Sequence, residues 1–245
     1  MTMKFNAESL KNRLKSYLSD VIKKIRIIHR LDYDKYPIYL HDNIRLGACG
    51  KEPDTVKWIE SFDKSDTAFD IGANIGAYSL IMGKYAKMVF AFEPSVFTFS
   101  TLVKNIYTNT ASNVMPVNMA LSERKKIGEF AYSSIDLGSS VHGLDVKLEK
   151  EAHRQKILSY SIDDFITDFG IESPNHIKLD VDGNEFDILK GAAKTISTKA
   201  FKSLMVEADD KRKDMFDFLE SLGLKQKAKY HIGDAGMYNC LFVRG

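Results

Sequence analysis

Residues 69–83, FDIGANIGAYSLIMG, constrain the fold of this chain more than any other stretch. An apolar run ends at Asp70, glycines at 72 and 76 flank Asn74, and a helix-forming segment follows. Strand, glycine turn and helix in that order make a nucleotide-sized site at the carboxyl end of a parallel sheet. Glu93 closes the next apolar run 21 residues after Gly72, where a doubly wound sheet places the acid that holds a ribose diol. A dinucleotide turn needs glycine where Asn74 stands, so that its backbone can approach a pyrophosphate. Asn74 fills that space. The expected ligand therefore carries an adenosine but no phosphates, and S-adenosylmethionine is the common example.

From residue 51 onward helical and strand patterns alternate. A helix is expected over 51–62, with Pro53 in its first turn. Strand 67–71, helix 77–86, strand 88–92, helix 96–109 and strand 114–119 come next, and then two further strands, 127–133 and 156–161. Strand 176–181, helix 185–196, strand 203–208, helix 211–222 and strands 225–232 and 237–243 complete the chain. This alternation predicts a mostly parallel sheet whose last two strands run antiparallel across a short turn. Ahead of it, apolar residues at helical spacing predict an amphipathic helix over 7–29, and a short strand is expected at 37–40. The division expected is residues 1–50, a basic helix with a connecting loop, and residues 51–245, the main domain.

Charge is uneven. Residues 1–30 carry eight Lys and Arg against Glu8 and Asp20, whereas the whole chain has a formal net charge of only +2. The overall balance gives no reason to expect nucleic acid as a partner. The basic helix suits a cover for the main domain, or a contact with an anionic membrane surface or a protein. Cys49 and Cys240 form no CxxC pair and no zinc framework. With no uninterrupted apolar segment of signal-peptide length, the expected compartment is the cytoplasm. Gly-x-Ser-x-Gly, a complete phosphate loop and the Asn-Pro-Pro-Tyr signature of nucleobase methylation are all absent.

Four stretches in order, FDIGANIGAYSL, AFEPS, VNMALSE and IKLDVDGNEFDILKGA, resemble the successive motifs of FkbM-type S-adenosylmethionine-dependent methyltransferases. Lys51-Glu52-Pro53 resembles the Glu-Pro entry that precedes the first strand in that family. The likeness covers residues 50–245. It implies an α/β fold, the seven-stranded Rossmann-like sheet of class I methyltransferases, here with an N-terminal amphipathic helix. It also implies methyl transfer, usually to a hydroxyl of a sugar or secondary metabolite, so the expected partner is a small-molecule or glycan acceptor.

Each motif has a physical task. Gly72 and Gly76 shape the turn and turn backbone amides near Asn74 toward the ligand. Asp70 holds the turn or meets the cofactor's amino group, and Glu93 accepts hydrogen bonds from the ribose. Ser95 either touches the ligand or caps the following helix. Through the resemblance, Glu52 joins the cofactor set and Asn118 and Ala120 lie beside the adenine. Asp180 ends the fourth strand and faces the sulfonium or the acceptor. Asp182 and Glu185 read as first-turn acids of a helix, so no metal is expected. A base for the acceptor hydroxyl is sought among Asp180, Glu207 and His142. Lys178 is expected to pair with Glu207, and a side chain at position 72 to block the pocket while leaving the domain folded. Two rival readings stand beside this one: a non-catalytic S-adenosylmethionine-binding module, and a NAD-dependent oxidoreductase, against which Asn74 argues.

Overall fold

The structure, a computed structural model, describes residues 28–132, 142–144, 153–209, 211–232 and 236–245. The expected helix over 7–29 lies almost wholly outside these residues. Its last described position, His29, belongs instead to a two-residue strand, β1 (His29–Arg30), paired antiparallel with β2 (Tyr39–Leu40).

The main sheet has seven strands: β3 (Thr67–Ile71), β4 (Met88–Phe92), β5 (Val114–Val117), β10 (His176–Leu179), β11 (Ser203–Asp209), β12 (Leu224–Ile232) and β13 (Met237–Arg244). Their spatial order is β12-β13-β11-β10-β3-β4-β5. Pairs between β5 and β11 are parallel, and β13 runs antiparallel to both of its neighbours. Strand order reverses between β3 and β10, so the crevice above their carboxyl ends is the binding position such a sheet offers. Every residue of β3 and β10 is buried, which explains why both read as continuous apolar runs.

Two expected helices are broken, and each break has a cause. The helix expected over 51–62 is two pieces, α1 (Ala48–Lys51) and α2 (Pro53–Glu60). Glu52 sits between them at φ −129° and ψ 63°, because the residue before a proline is pushed out of helical geometry. The helix expected over 185–196 is α6 (Glu185–Lys190) and α7 (Ala193–Ser197). At the break, Gly191 packs so closely on the Ser122 carbonyl that a Cβ would collide with it. The Asp163 carboxylate then takes the amides of Lys194 and Thr195 at the start of α7. The other helices are α3 (Ala77–Tyr85), α4 (Val96–Thr108), α5 (Ile162–Phe169) and α8 (Lys213–Ser221).

The sequence reading missed α5, though its signals are present. Ser161 accepts the Asp164 amide at 3.0 Å as N-cap, and Gly170 ends the helix at φ 61°. Ile162, Phe165, Ile166 and Phe169 recur at helical spacing.

The two extra strands between β5 and β10 leave the main sheet. β7 (Lys126–Tyr132) and β9 (His153–Tyr160) pair antiparallel, with β6 (Ala120–Leu121) and β8 (His142–Leu144), in a separate sheet ordered β6-β9-β7-β8. Ala120, Phe130, Tyr132, Leu144 and Ile157 form its own small core. At the other edge, Leu31, Tyr33, Ile38 and Leu40 share one core with Ile59, Ala68, Ile75 and Leu80. Asn105 of α4 binds this segment directly through the His41 amide, at 2.8 Å.

A buried Ser-His-Asp constellation stands at the amino ends of the central strands. His176 meets Ser203 Oγ at 2.7 Å and Asp66 at 3.0 Å. Trp58 Nε1 donates to the same Ser203 oxygen at 2.8 Å, and Phe62 stacks on the imidazole at 3.9 Å. Lys202 closes the group on Asp66. All three polar residues are buried, and they lie at the opposite strand ends from the glycine turn. The constellation ties β3, β10, β11 and α2 together instead of presenting a nucleophile.

Candidate active site

The turn after β3 is built as its glycines require. Gly72, Asn74 and Gly76 take φ values of 79°, 52° and 89°, a left-handed region that glycine occupies freely and asparagine tolerates. A Cβ on Gly72 would land on the Asp180 carbonyl oxygen, and one on Gly76 would strike Leu102 of α4. This corrects the expectation that a side chain at 72 would only block the pocket: it would wedge apart β3 and the end of β10. Gly72→Ala is expected to cost about 2–5 kcal/mol of folding free energy through overpacking and backbone strain together. Urea denaturation measures this, and an unchanged midpoint would refute the close approach.

A cavity of about 280 Å³ opens above this turn, near the small end of ligand pockets, roughly 300–1,000 Å³. Glu52, Gly72, Asn74, Glu93, Ala120, Asp180 and Glu207 all reach it, so the start of α2, the carboxyl ends of β3, β4, β10 and β11, and the start of β6 converge there. Asp70 lies beneath, fully buried, with Oδ2 held by the Ser79 hydroxyl of α3 and Oδ1 without a hydrogen bond among the described residues. Its role is to tie β3 to α3. Burial raises its pKa, against the pull of Lys178 and Ser79.

At one end of the cavity Glu93 is fixed by backbone. Its Oε2 accepts the Asn74 amide at 2.9 Å and Oε1 the Ser95 amide at 2.8 Å. Each carboxylate oxygen keeps a further lone pair for a ligand hydroxyl. Burial pushes its pKa up to about 7, and the two amides oppose the rise. Two expected contacts turn out to be scaffold. Ser95 accepts the Thr98 amide as the N-cap of α4. Asn118 donates to the carbonyls of Glu93 and Pro94 at 2.9 and 3.1 Å, and so locks the Glu93 loop rather than facing the cavity. The reason is that β5 stops at Val117, one residue short of Asn118, and the chain crosses to the second sheet.

At the other end the lysine pairing differs from expectation. Lys178 Nζ donates to Asp180 Oδ2 at 2.8 Å, not to Glu207. Strand register explains the change: Lys178 stands opposite Met205, and Leu179 opposite Val206, which brings Glu207 level with Asp180. Side by side, the two carboxyls act on each other's affinity for protons. Burial alone would raise Asp180, but the Lys178 ammonium, the Glu207 carboxyl and Arg45 together hold it below the usual carboxylate range. Burial and the Asp180 contact push Glu207 up to about 8. The two shifts run in opposite directions, so Glu207 is the better proton acceptor of the pair and Asp180 the one kept ionised.

Several cavity residues were not foreseen. Tyr78, Arg45 and Lys51 line it, and Asn239 of β13 fixes Glu52 with a 2.8 Å hydrogen bond. Asn239 and Arg45 belong to no motif, so their position emerges only from the fold. Asn184 Nδ2 binds the Leu144 carbonyl at 3.0 Å, joining the second sheet to the cavity wall. The backbone of His142 lies in β8 opposite Tyr132, while its side chain and the loop before it lie outside the described residues. Both thiols are buried and raised, Cys49 to about 12, so neither is a thiolate nucleophile.

The residues present fit an adenosylated sulfonium. Asn74 stands where a dinucleotide turn needs glycine, Glu93 offers a ribose acceptor, and acids outnumber cations along the wall. No helix among the described residues is long and apolar enough to cross a membrane.

Comparison with known proteins agrees with this geometry. Residues 70–231 match the family described as Methyltransferase FkbM domain. The chain is 29% identical to the hexuronic acid methyltransferase AglP of Haloferax volcanii, over 71% of this chain and 70% of that protein. It is 27% identical to methyltransferase 1 of Beauveria bassiana, over 62% of this chain and 66% of that protein. Among solved structures it resembles methyltransferase FkbM from Methylobacillus flagellatus, with a TM-score of 0.54 and 21% identity. That match covers 74% of this chain but only 44% of the solved one. A nicotinamide-dependent activity finds no support in these likenesses. The chain belongs to the FkbM methyltransferase family, and its cofactor is S-adenosylmethionine.

Proposed function

We propose that this methyltransferase alkylates a hydroxyl oxygen of a sugar or related metabolite, with Glu207 as the proton acceptor. The observation that carries this reading is the Asp180–Glu207 carboxyl pair at the cavity end away from Glu93. Bound S-adenosylmethionine supplies a methyl group on a sulfonium, whose departure leaves a neutral thioether. A hydroxyl acceptor must lose its proton as the new carbon–oxygen bond forms. Asp180, kept ionised by Lys178, is too weak a base for that proton, and serves instead to orient the acceptor. Glu207 is the stronger base once it has released its own proton to solvent; it then takes up the proton of the acceptor hydroxyl and returns to its resting, protonated form. Gly72, Asn74 and Glu93 would hold the adenosine end, and Glu52 the opposite end. Positioning supplies most of the remaining rate, since an in-line displacement depends on alignment.

The sugar preference rests on family membership and on the hexuronic acid named in the archaeal relative. The test uses S-adenosylmethionine carrying a ¹³C methyl group and a panel of neutral and uronic glycosides, followed by NMR of the products. A methoxyl carbon on a sugar is the expected result. Cofactor binding without transfer to any panel member would favour the non-catalytic module, and an N-methyl product would refute hydroxyl chemistry.

A further inference from the structure

Arg45 lines the cavity yet has no task in the chemistry above. It sits in the turn between β2 and α1, and its backbone position is fixed on both sides. Its carbonyl accepts the Ala48 amide at 3.1 Å, and the neighbouring Leu46 carbonyl accepts the Asp32 amide at 2.9 Å. The side chain is half-buried, and its Nε is shut off from solvent without a hydrogen-bond partner among the described residues. Its charge reaches Asp180, which places it at the cavity end above β10 and β11, away from Glu93. The other cations there are otherwise engaged: Lys178 is committed to Asp180, and Lys51 is exposed to water.

The half-buried guanidinium lines a ligand cavity, and among the described residues its charge has no hydrogen-bonded counter-ion. Its planar fork matches a carboxylate in two parallel hydrogen bonds. Three of the cavity acids are committed to other partners. Glu52 is held by Asn239 and Thr55, Glu93 by two amides, and Asp180 by Lys178.

Building on the methyl-transfer reading, we propose that Arg45 anchors a ligand carboxylate inside the cavity. Two ligands bring one to that end: the amino-acid moiety of the methyl donor and an acidic acceptor such as a uronic sugar. In either case the residue positions a ligand and takes no part in bond making.

Calorimetric titration of the full chain tests this with matched ligand pairs. The first pair is S-adenosylhomocysteine and its decarboxylated counterpart. The second, titrated into protein saturated with S-adenosylhomocysteine, is methyl glucuronide and methyl glucoside. The wild type is expected to prefer the carboxylate-bearing member of one pair by tenfold or more. Arg45→Met should erase that preference and leave affinity for the carboxylate-free member unchanged, which also reports an intact fold. A preference in the first pair assigns the anchor to the donor, and one in the second to the acceptor. The proposal is overturned if Arg45→Met keeps the preference, or if the wild type shows none in either pair while still binding S-adenosylhomocysteine. A wild type that binds no S-adenosylhomocysteine would instead defeat the methyl-transfer reading itself.

Discussion

Replacing Lys178 with methionine is expected to destabilise the protein by about 3 kcal/mol, the low end of the range for breaking a buried ion pair. The ammonium is almost fully buried in β10, whereas Asp180 keeps 34% of its side chain exposed, so water offsets part of the loss. Methionine matches the length of the stem but removes the buried cation that two carboxylates share. Asp180 loses its 2.8 Å partner, and Asp70, level with Lys178 on β3, loses the charge that opposes its burial. The sign of the pH dependence follows. Asp70, already raised by burial, binds protons still more readily than in the unfolded chain once the ammonium is gone, so the variant is favoured at low pH and loses stability as pH rises. Urea denaturation at pH 5 and pH 8 should show the larger deficit at pH 8. Equal stability of the two proteins at both values would contradict the assignment of Lys178 as the counter-ion.

The second large effect is on rate. Glu207→Gln should lower kcat by about 10²–10⁴-fold, the usual contribution of a positioned base. Glutamine keeps the shape and can still donate to Asp180, so the fold and cofactor affinity should survive. In the wild type the base must be deprotonated, so kcat should climb with pH through about 8, the value to which burial and Asp180 push Glu207. The variant should lack that limb. The same raised pKa has a stability consequence of opposite direction. The stabilisation that protonated Glu207 contributes is present below its ordinary range near 4.5 and is lost as pH rises through about 8. Thermal melts of the cofactor-free protein should record that decline, and Glu207→Gln should flatten it. A variant with normal kcat and an unaltered pH profile would remove Glu207 from the chemistry.

Much of this was legible before the structure, because the informative features are local. The Gly72–Gly76 turn follows from glycines at positive φ, and the strand order from alternating apolar runs. Glu93 is legible because it ends the run after the turn, at the same crest of the sheet. What the sequence hid depends on register and on long-range closure. Glu207 was identified, but its partner was not, since only the alignment of β10 with β11 shows that it stands beside Asp180 rather than Lys178. Asn118 and Ser95 sit next to the right residues in sequence, yet one locks a loop and the other caps a helix. Asn239 lies far from every motif, and Arg45 precedes Lys51-Glu52-Pro53 by six residues; both enter the site only through long-range packing. The break at Glu52 was readable from Pro53 and was passed over; α5 was missed in spite of its serine cap and glycine stop.

Glu93 is the residue on which an adenosine above β3 and β4 depends. Calorimetric titration of S-adenosylhomocysteine into the wild type and into Glu93→Ala measures this most directly. The wild type should bind one equivalent, and the variant should bind at least tenfold more weakly, on the order of 1.5 kcal/mol for a lost charged hydrogen bond. Equal affinities in the two proteins would contradict the placement of the ribose, and with it the site described above.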